Sequence, residues 1–259
     1  MRVGVHELAV DVQGDGEPVI FVHSSGLSGR QWRRWLPMFE GFRRLVPDLH
    51  GCGRNPPWDG PWPFPLSLDL DLVLALLEAH GPAHLVGHSY GGALSLFALG
   101  ERPELVRTVT VYEPPLLGLL VGGAPEDRAL IGQASALVDP AIAGSPVWVE
   151  QFVDWWNGPG AFRTLADPVR DELLHTGPKV AGEVADLVND RRAVAAYDVG
   201  RPILVASGDR SPAAVMRALD LLATVPGAER ELFPGLGHMA PLTHAEVLAA
   251  RTLAFLRGR

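Results

Sequence analysis

Seven short β-rich runs alternate with segments of helical periodicity, and this alternation limits the fold of the chain more than any other feature. The runs are VGVHELAVDV, PVIFVH, RRLVPDL, AHLVGH, LVRTVTVYE, PILVAS and ERELFP. The later ones are continuous apolar stretches, as expected of strands in a parallel sheet whose two faces are both covered. Between them, QWRRWLPMFE, SLDLDLVLALLEAH, GALSLFALGERPE and PAAVMRALDLLATV carry helix-compatible spacing. The expectation is an open, mostly parallel α/β sheet flanked by helices on both faces. At 259 residues, 47% of them apolar, the chain is long enough to bury a substantial core.

The alternation stops between residues 114 and 200. Helix-like pieces there are separated by GGAPED, DPAIAGSP, NGPGAF and HTGPKV, and the stretch is too long for a plain loop. It reads as a helical lid inserted into a core formed by residues 1–113 and 201–259. With 22 basic and 30 acidic residues the net charge is −8, and no run of Lys or Arg forms a phosphate-tracking stripe, so nucleic acid is excluded as a partner. No apolar run approaches the roughly 20 residues that span a bilayer, so no membrane association is expected. The opening MRVGVHELAV lacks the apolar core of a signal peptide, which points to a cytoplasmic protein. Cys52 stands alone, so neither an intrachain disulfide nor a Cys-based zinc site is available, and it reads as a small packing residue. The expected partner is a small-molecule substrate, and both monomer and homodimer remain open.

Gly87-His88-Ser89-Tyr90-Gly91 fits G-x-S-x-G and lies between a strand run and a helical run. A serine held outward on so sharp a turn needs small flanking residues, and it is a candidate nucleophile. A serine at neutral pH needs a general base, which in this architecture follows it in the chain. Of the downstream histidines, His175 falls in the inserted region and His244 at a helix start. His238 follows ERELFP through the loop Gly235-Leu236-Gly237 and is the candidate base. The oxyanion of an acyl-transfer intermediate needs backbone N–H donors. The Tyr90 N–H supplies one, and the turn after PVIFVH supplies the other, at Ser25, with Ser24 as its neighbour.

Taken together, FVHSSGLSGRQW, VPDLHGCGR, VGHSYGG, PILVASGD and FPGLGHMAPL resemble, in order, the α/β-hydrolase fold superfamily over nearly the whole chain. The resemblance implies a mostly parallel eight-stranded sheet, a lid inserted after the sixth strand, and an active site at the strand ends beneath it. Two positions depart from the pattern. Ser24 replaces the glycine of the usual His-Gly pair, and Ser211 occupies the place where relatives carry the triad acid. Two carboxylates are candidates to replace that acid. Glu113 closes an apolar strand before Pro114-Pro115, where an unpaired charge would be costly, and it is preferred. Asp209 lies two residues before the expected position.

In the insertion, Trp148, Phe152, Trp155 and Trp156 are spaced to share one helical face, as anchors of the lid or as a roof over an apolar cavity. Trp148, Phe152 and Trp155 join Ser24, His88 and Met239 as substrate-binding candidates, and Trp58 and Trp62 are candidates for the entrance. His84 and His88 would lie roughly 13 Å apart on a strand, too far to share an ion, so no metal is expected, and no cofactor. The pattern points to a serine hydrolase acting on an ester, thioester or lactone of a small to medium apolar molecule. Carbon-carbon bond hydrolysis by the same triad and a non-catalytic small-molecule receptor are the alternatives.

Overall fold

The computed structural model describes residues 1–132 and 134–259, with the backbone alone at 135 and 136. The first run breaks at Gly4, whose φ of 55° turns the chain back on itself. Strands β1 (Arg2–Val3) and β2 (His6–Glu7) therefore pair with each other as a small antiparallel ribbon. The chain continues through β3 (Val10–Gln13), β4 (Glu17–Val22), β5 (Phe42–Pro47), helix α1 (Leu66–His80), β6 (Ala83–His88), α2 (Tyr90–Glu101) and β7 (Val106–Tyr112). After β7 come α3 (Pro125–Gly132), α4 (Pro146–Asn157), α5 (Ala161–Thr164) and α6 (Asp167–Asn189). The chain then returns through β8 (Ile203–Gly208), α7 (Ala213–Leu222), β9 (Ala228–Phe233), α8 (Ala240–Thr243) and α9 (Ala245–Arg257).

The main sheet has the order β3-β5-β4-β6-β7-β8-β9, parallel throughout except where β3 pairs antiparallel with β5. Among the described residues it has seven strands where eight were expected, because the Gly4 turn diverts the first run into the ribbon and only its end, Val10–Gln13, joins the sheet. The insertion accordingly follows the fifth strand of this sheet, β7. Both faces are covered, as the continuous apolar runs require. On β4, Ile20 and Val22 belong to the cluster under α1 and α2, while Phe21 packs on Trp32 and Phe39 in the cluster of the opposite face, which also holds Val19, Trp35 and the α9 residues Leu248 and Phe255. The segment QWRRWLPMFE forms two 3-10 turns, Gly29–Trp32 and Leu36–Phe39, in place of one helix. Pro37 has no N–H to continue a helical ladder.

Between β7 and β8 the described residues contain helices and no strand. Helix α6 is fastened to α1 by two contacts: Asp186 Oδ2 accepts the Leu66 N–H at 2.9 Å, and Lys179 Nζ donates to Asp69 Oδ2 at 3.0 Å. Among the described residues, no helix is long and apolar enough to cross a membrane.

Candidate active site

Ser89 joins β6 to α2 at φ 53° and ψ −120°, a backbone conformation that side-chain-bearing residues adopt only under constraint. The constraint is close backbone packing. A Cβ on Gly87 would lie 2.4 Å from the Gly91 carbonyl oxygen, and one on Gly91 would lie 2.3 Å from that of Val22. The Ser89 N–H donates to the Tyr112 carbonyl at 2.9 Å, tying the turn to the end of β7.

One residue beyond β7, Glu113 adopts φ 49° and is fully buried. His238 Nδ1–H donates to its Oε2 at 2.8 Å. Its Oε1 accepts the Gly208 N–H at 2.8 Å and the Ser211 hydroxyl. Both carboxylate oxygens thus have donors, as a buried carboxylate requires. Asp209 turns elsewhere and accepts the Gly235 N–H at 2.8 Å, linking the loops after β8 and β9. Of the two candidate acids, the fold brings only Glu113 to the imidazole. Ser211, standing where relatives carry the acid, is one of the donors that hold it.

The loop after β4 is set by His23. Its Nδ1–H donates to the Ser24 carbonyl at 2.8 Å, and the Leu49 N–H donates to its Nε2 at 3.0 Å. Burial lowers its pKa to about 4, so the ring is neutral near pH 7. The Ser24 N–H is already committed to Gln31 Oε1 at 3.1 Å. Between residues 23 and 26 the positive φ falls on Gly26, at 64°, so Ser24 needs no glycine. Among the described residues no acceptor meets the N–H of Ser25 or of Tyr90. Tyr90 is the first residue of α2, where the helix dipole favours negative charge.

Two cavities meet here. An open groove of about 910 Å³ is bordered by His238, Met239, Ser24, Leu173 and Arg33, among others. A chamber of about 20 Å³ is bordered by Ser89 and by apolar side chains including Trp155 and Leu187. Ser25, Phe152 and Trp156 border both. The Trp156 indole stacks on the His238 ring, with centroids 3.5 Å apart and planes at 17°. No hydrogen bond joins Ser89 Oγ to His238 among the described residues.

Two expected substrate contacts, His88 and Trp148, line neither cavity. His88 is fully buried, its Nε2–H donating at 2.9 Å to the His238 carbonyl, so it supports His238 from behind. Burial, with His238 close by, holds its pKa well below the usual value. Trp148 is fully buried, stacks on Phe152 with centroids 5.0 Å apart, and donates Nε1–H to the Leu137 carbonyl. Trp58 packs edge-on against Phe64 and lies outside both cavities, as does Trp62. Cys52 is buried, which pushes its thiol up to about 12.

Sequence reasoning missed a second buried cluster beneath this site. Asp69 accepts His50 Nδ1–H at 2.8 Å, the Tyr90 hydroxyl at 3.2 Å and Lys179 Nζ, and Lys179 also pairs with Glu183. One signal was present: Lys179 is the only lysine in the chain, and every other basic residue is arginine. Among the described residues no group of three or more His, Cys, Asp or Glu side chains is arranged to hold a metal ion.

The profile described as Alpha/beta hydrolase family matches residues 19–251. The chain is 31% identical over 110 residues to Lipase LipV of Mycobacterium tuberculosis, a match covering 42% of each chain. It is 28% identical over 257 residues to the dihydrolipoyllysine-residue acetyltransferase component of the acetoin cleaving system of Pseudomonas putida, covering 93% of this chain and 64% of that one. The chain therefore spans less than two thirds of the length of either relative. Among solved structures, a thermophilic esterase from Thermogutta terrifontis superposes with a TM-score of 0.70 at 22% identity, over 97% of this chain and 93% of the other, a likeness of fold.

Proposed function

The chain belongs to the α/β hydrolase family, and we propose that it is a cofactor-free serine hydrolase that cleaves an ester, thioester or lactone through an acyl-enzyme. The observation that carries this reading is the buried Glu113–His238 pair at the strand ends, beside a serine on a constrained strand-to-helix turn. In the reaction Ser89 Oγ attacks the carbonyl carbon while His238 Nε2 takes its proton. Glu113 accepts from Nδ1, which fixes the tautomer and stabilises the imidazolium. The free N–H groups of Ser25 and Tyr90 receive the oxyanion. His238 then returns the proton to the leaving atom, and water releases the acyl group by the reverse path.

Residues 114–200 act as a lid over this centre, contributing Phe152, Trp155 and Trp156. Substrate entering between Trp156 and the core brings Ser89 and His238 into register, since catalytic hydrogen bonds commonly tighten only in the complex. The test is burst-phase hydrolysis of a p-nitrophenyl acyl series. Ser89→Ala is expected to remove the burst and lower kcat/KM by about 10⁴-fold or more. Equal turnover by wild type and Ser89→Ala would sink the proposal.

A small-molecule binding module without turnover is the second reading. It is favoured by the missing Ser89–His238 hydrogen bond and the indole stacked on the imidazole. A folded wild type that binds esters yet shows no Ser89-dependent turnover would establish it.

A further inference from the structure

The two cavities divide the reacting groups between them. Ser89 borders the chamber and not the groove, whereas His238 borders the groove and not the chamber. In acyl transfer the acyl carbon bonds to the serine oxygen, and the histidine returns its proton to the leaving atom. The acyl chain therefore extends on the Ser89 side and the leaving group on the His238 side. The carbonyl passes between them at Ser25, which borders both.

Each side carries its own chemistry. The chamber measures about 20 Å³, where a single water needs about 10–15 Å³. Apart from Ser25 and Ser89 its walls are apolar. It admits an acyl group with about one or two carbons beyond the carbonyl and no polar substituent. The groove is some forty times roomier, and its charged lining is opposite in sign to the protein as a whole. Arg30, Arg33 and Arg34 border it against one acid, Glu172, in a chain of net charge −8. Arg34 is taken up by both oxygens of Glu246, at 2.7 and 2.9 Å. Arg30 and Arg33 make no ion pair among the described residues, and both follow directly on the loop that presents Ser25.

We infer that the substrate joins a short acyl group, acetyl or propionyl, to a larger alcohol or thiol bearing an oxyanion that Arg30 and Arg33 receive in the groove. This rests on the serine-hydrolase reading for the direction of the scissile bond. Carboxylate and phosphate share the required chemistry, since arginine receives either through paired N–H donors.

The experiment compares five esters, each rate divided by the rate of the same ester with hydroxide alone. 4-Acetoxybenzoate and 4-acetoxyphenyl phosphate carry the two anions, and methyl 4-acetoxybenzoate is the neutral counterpart. 4-Propanoyloxybenzoate and 4-hexanoyloxybenzoate vary the acyl chain. The acetyl and propanoyl esters are expected to exceed the hexanoyl ester in kcat/KM by about tenfold or more, one or two carbons being all that the chamber admits. At low salt the preferred anionic ester is expected to exceed the neutral one by about fivefold, the usual scale of exposed ion pairs, with the advantage shrinking as salt is added. Arg30→Ala/Arg33→Ala should bring that ratio towards one, and the better of the two anions identifies the source. Trp155→Ala should enlarge the chamber and raise the hexanoyl ester relative to the acetyl ester, and Val188→Ala makes the same test more gently if the first variant does not fold.

Faster cleavage of the hexanoyl ester by wild type, or a neutral ester as good as both anions, would overturn the inference. If no ester shows Ser89-dependent turnover, the serine-hydrolase reading fails instead. Calorimetric titration with 4-hydroxybenzoate and with its methyl ester then decides the groove. Preferential binding of the anion that Arg30→Ala/Arg33→Ala abolishes supports it, and equal binding of the two refutes it.

Discussion

His238 and His50 each donate Nδ1–H to a buried carboxylate oxygen at 2.8 Å, yet the two pairs sit in opposite settings. His238 borders the groove, with the Trp156 indole stacked on its ring. His50 is packed among the rings of His6, Trp58 and Phe64, and its Nε2 is buried without a partner among the described residues. The carboxylates differ too. Glu113 is held by the uncharged donors of Gly208 and Ser211, with no ammonium or guanidinium paired to it among the described residues. Asp69 answers the Lys179 ammonium, and that cation together with the His50 hydrogen bonds outweighs the upward push of burial, holding its carboxyl at about 2. A histidine–carboxylate pair alone therefore does not mark a reaction centre. On the proposed reading, it becomes one where the second ring nitrogen comes within reach of a nucleophile.

Neutralising each acid in turn should separate the two pairs most sharply. Glu113→Gln should lower kcat by about 10⁴-fold while the protein stays folded, because the amide favours the wrong imidazole tautomer. Steady-state rates with unfolding curves on the same sample check this, and a loss below tenfold would remove Glu113 from the triad. Asp69→Asn leaves Lys179 with half its compensation in a buried site, and should cost about 3 kcal/mol in urea denaturation. A shift below about 1 kcal/mol would show that the cluster is not the structural lock between α1 and α6 described above.

The two regions should also separate in pH. Burial keeps His23 and His88 neutral in the folded protein, while the unfolded chain binds a proton on each below 6.5. Stability is then complete above pH 6.5 and falls as pH drops towards 4, by about 1.4 kcal/mol per pH unit for each ring that remains neutral. Asp69, lowered from 3.8 to about 2, works in a lower window: its contribution is complete above 3.8 and is lost as pH falls towards 2. Urea midpoints from pH 7.5 to 4 should decline, and a flat profile would contradict the neutral histidines. The smallest effect is expected from Asp209→Asn, whose side chain joins two exposed loops. It should change kcat/KM by less than about twofold, the scale of an ordinary surface substitution.

Much of the fold is legible in the sequence, because a parallel strand covered on both faces is apolar at nearly every position, as AHLVGH and PILVAS largely are. The first strand was harder to read. VGVHELAVDV has strand composition throughout, and only the Gly4 turn shows that most of it leaves the sheet. Ser89 was legible because its elbow demands glycine at 87 and 91. His88 and Trp148 were misplaced because residue type and period give a face, not what packs against that face. The Lys179 cluster joins α6 to α1 across 110 residues of chain, a distance no local pattern spans.

Local propensity, periodicity and glycine at a fixed spacing were enough to read the layered α/β architecture, the strand-to-helix turn at Ser89 and the loop that carries His238 from the chain alone. Which carboxylate meets His238 depends on the assembled sheet. Glu113 and Asp209 each follow a strand, and the choice turns on where β7, β8 and β9 end side by side in the sheet. The tertiary structure also decided that Trp156, not Trp148, covers the imidazole, because the direction of a helical side chain in space is fixed by the docking of α4 onto the core.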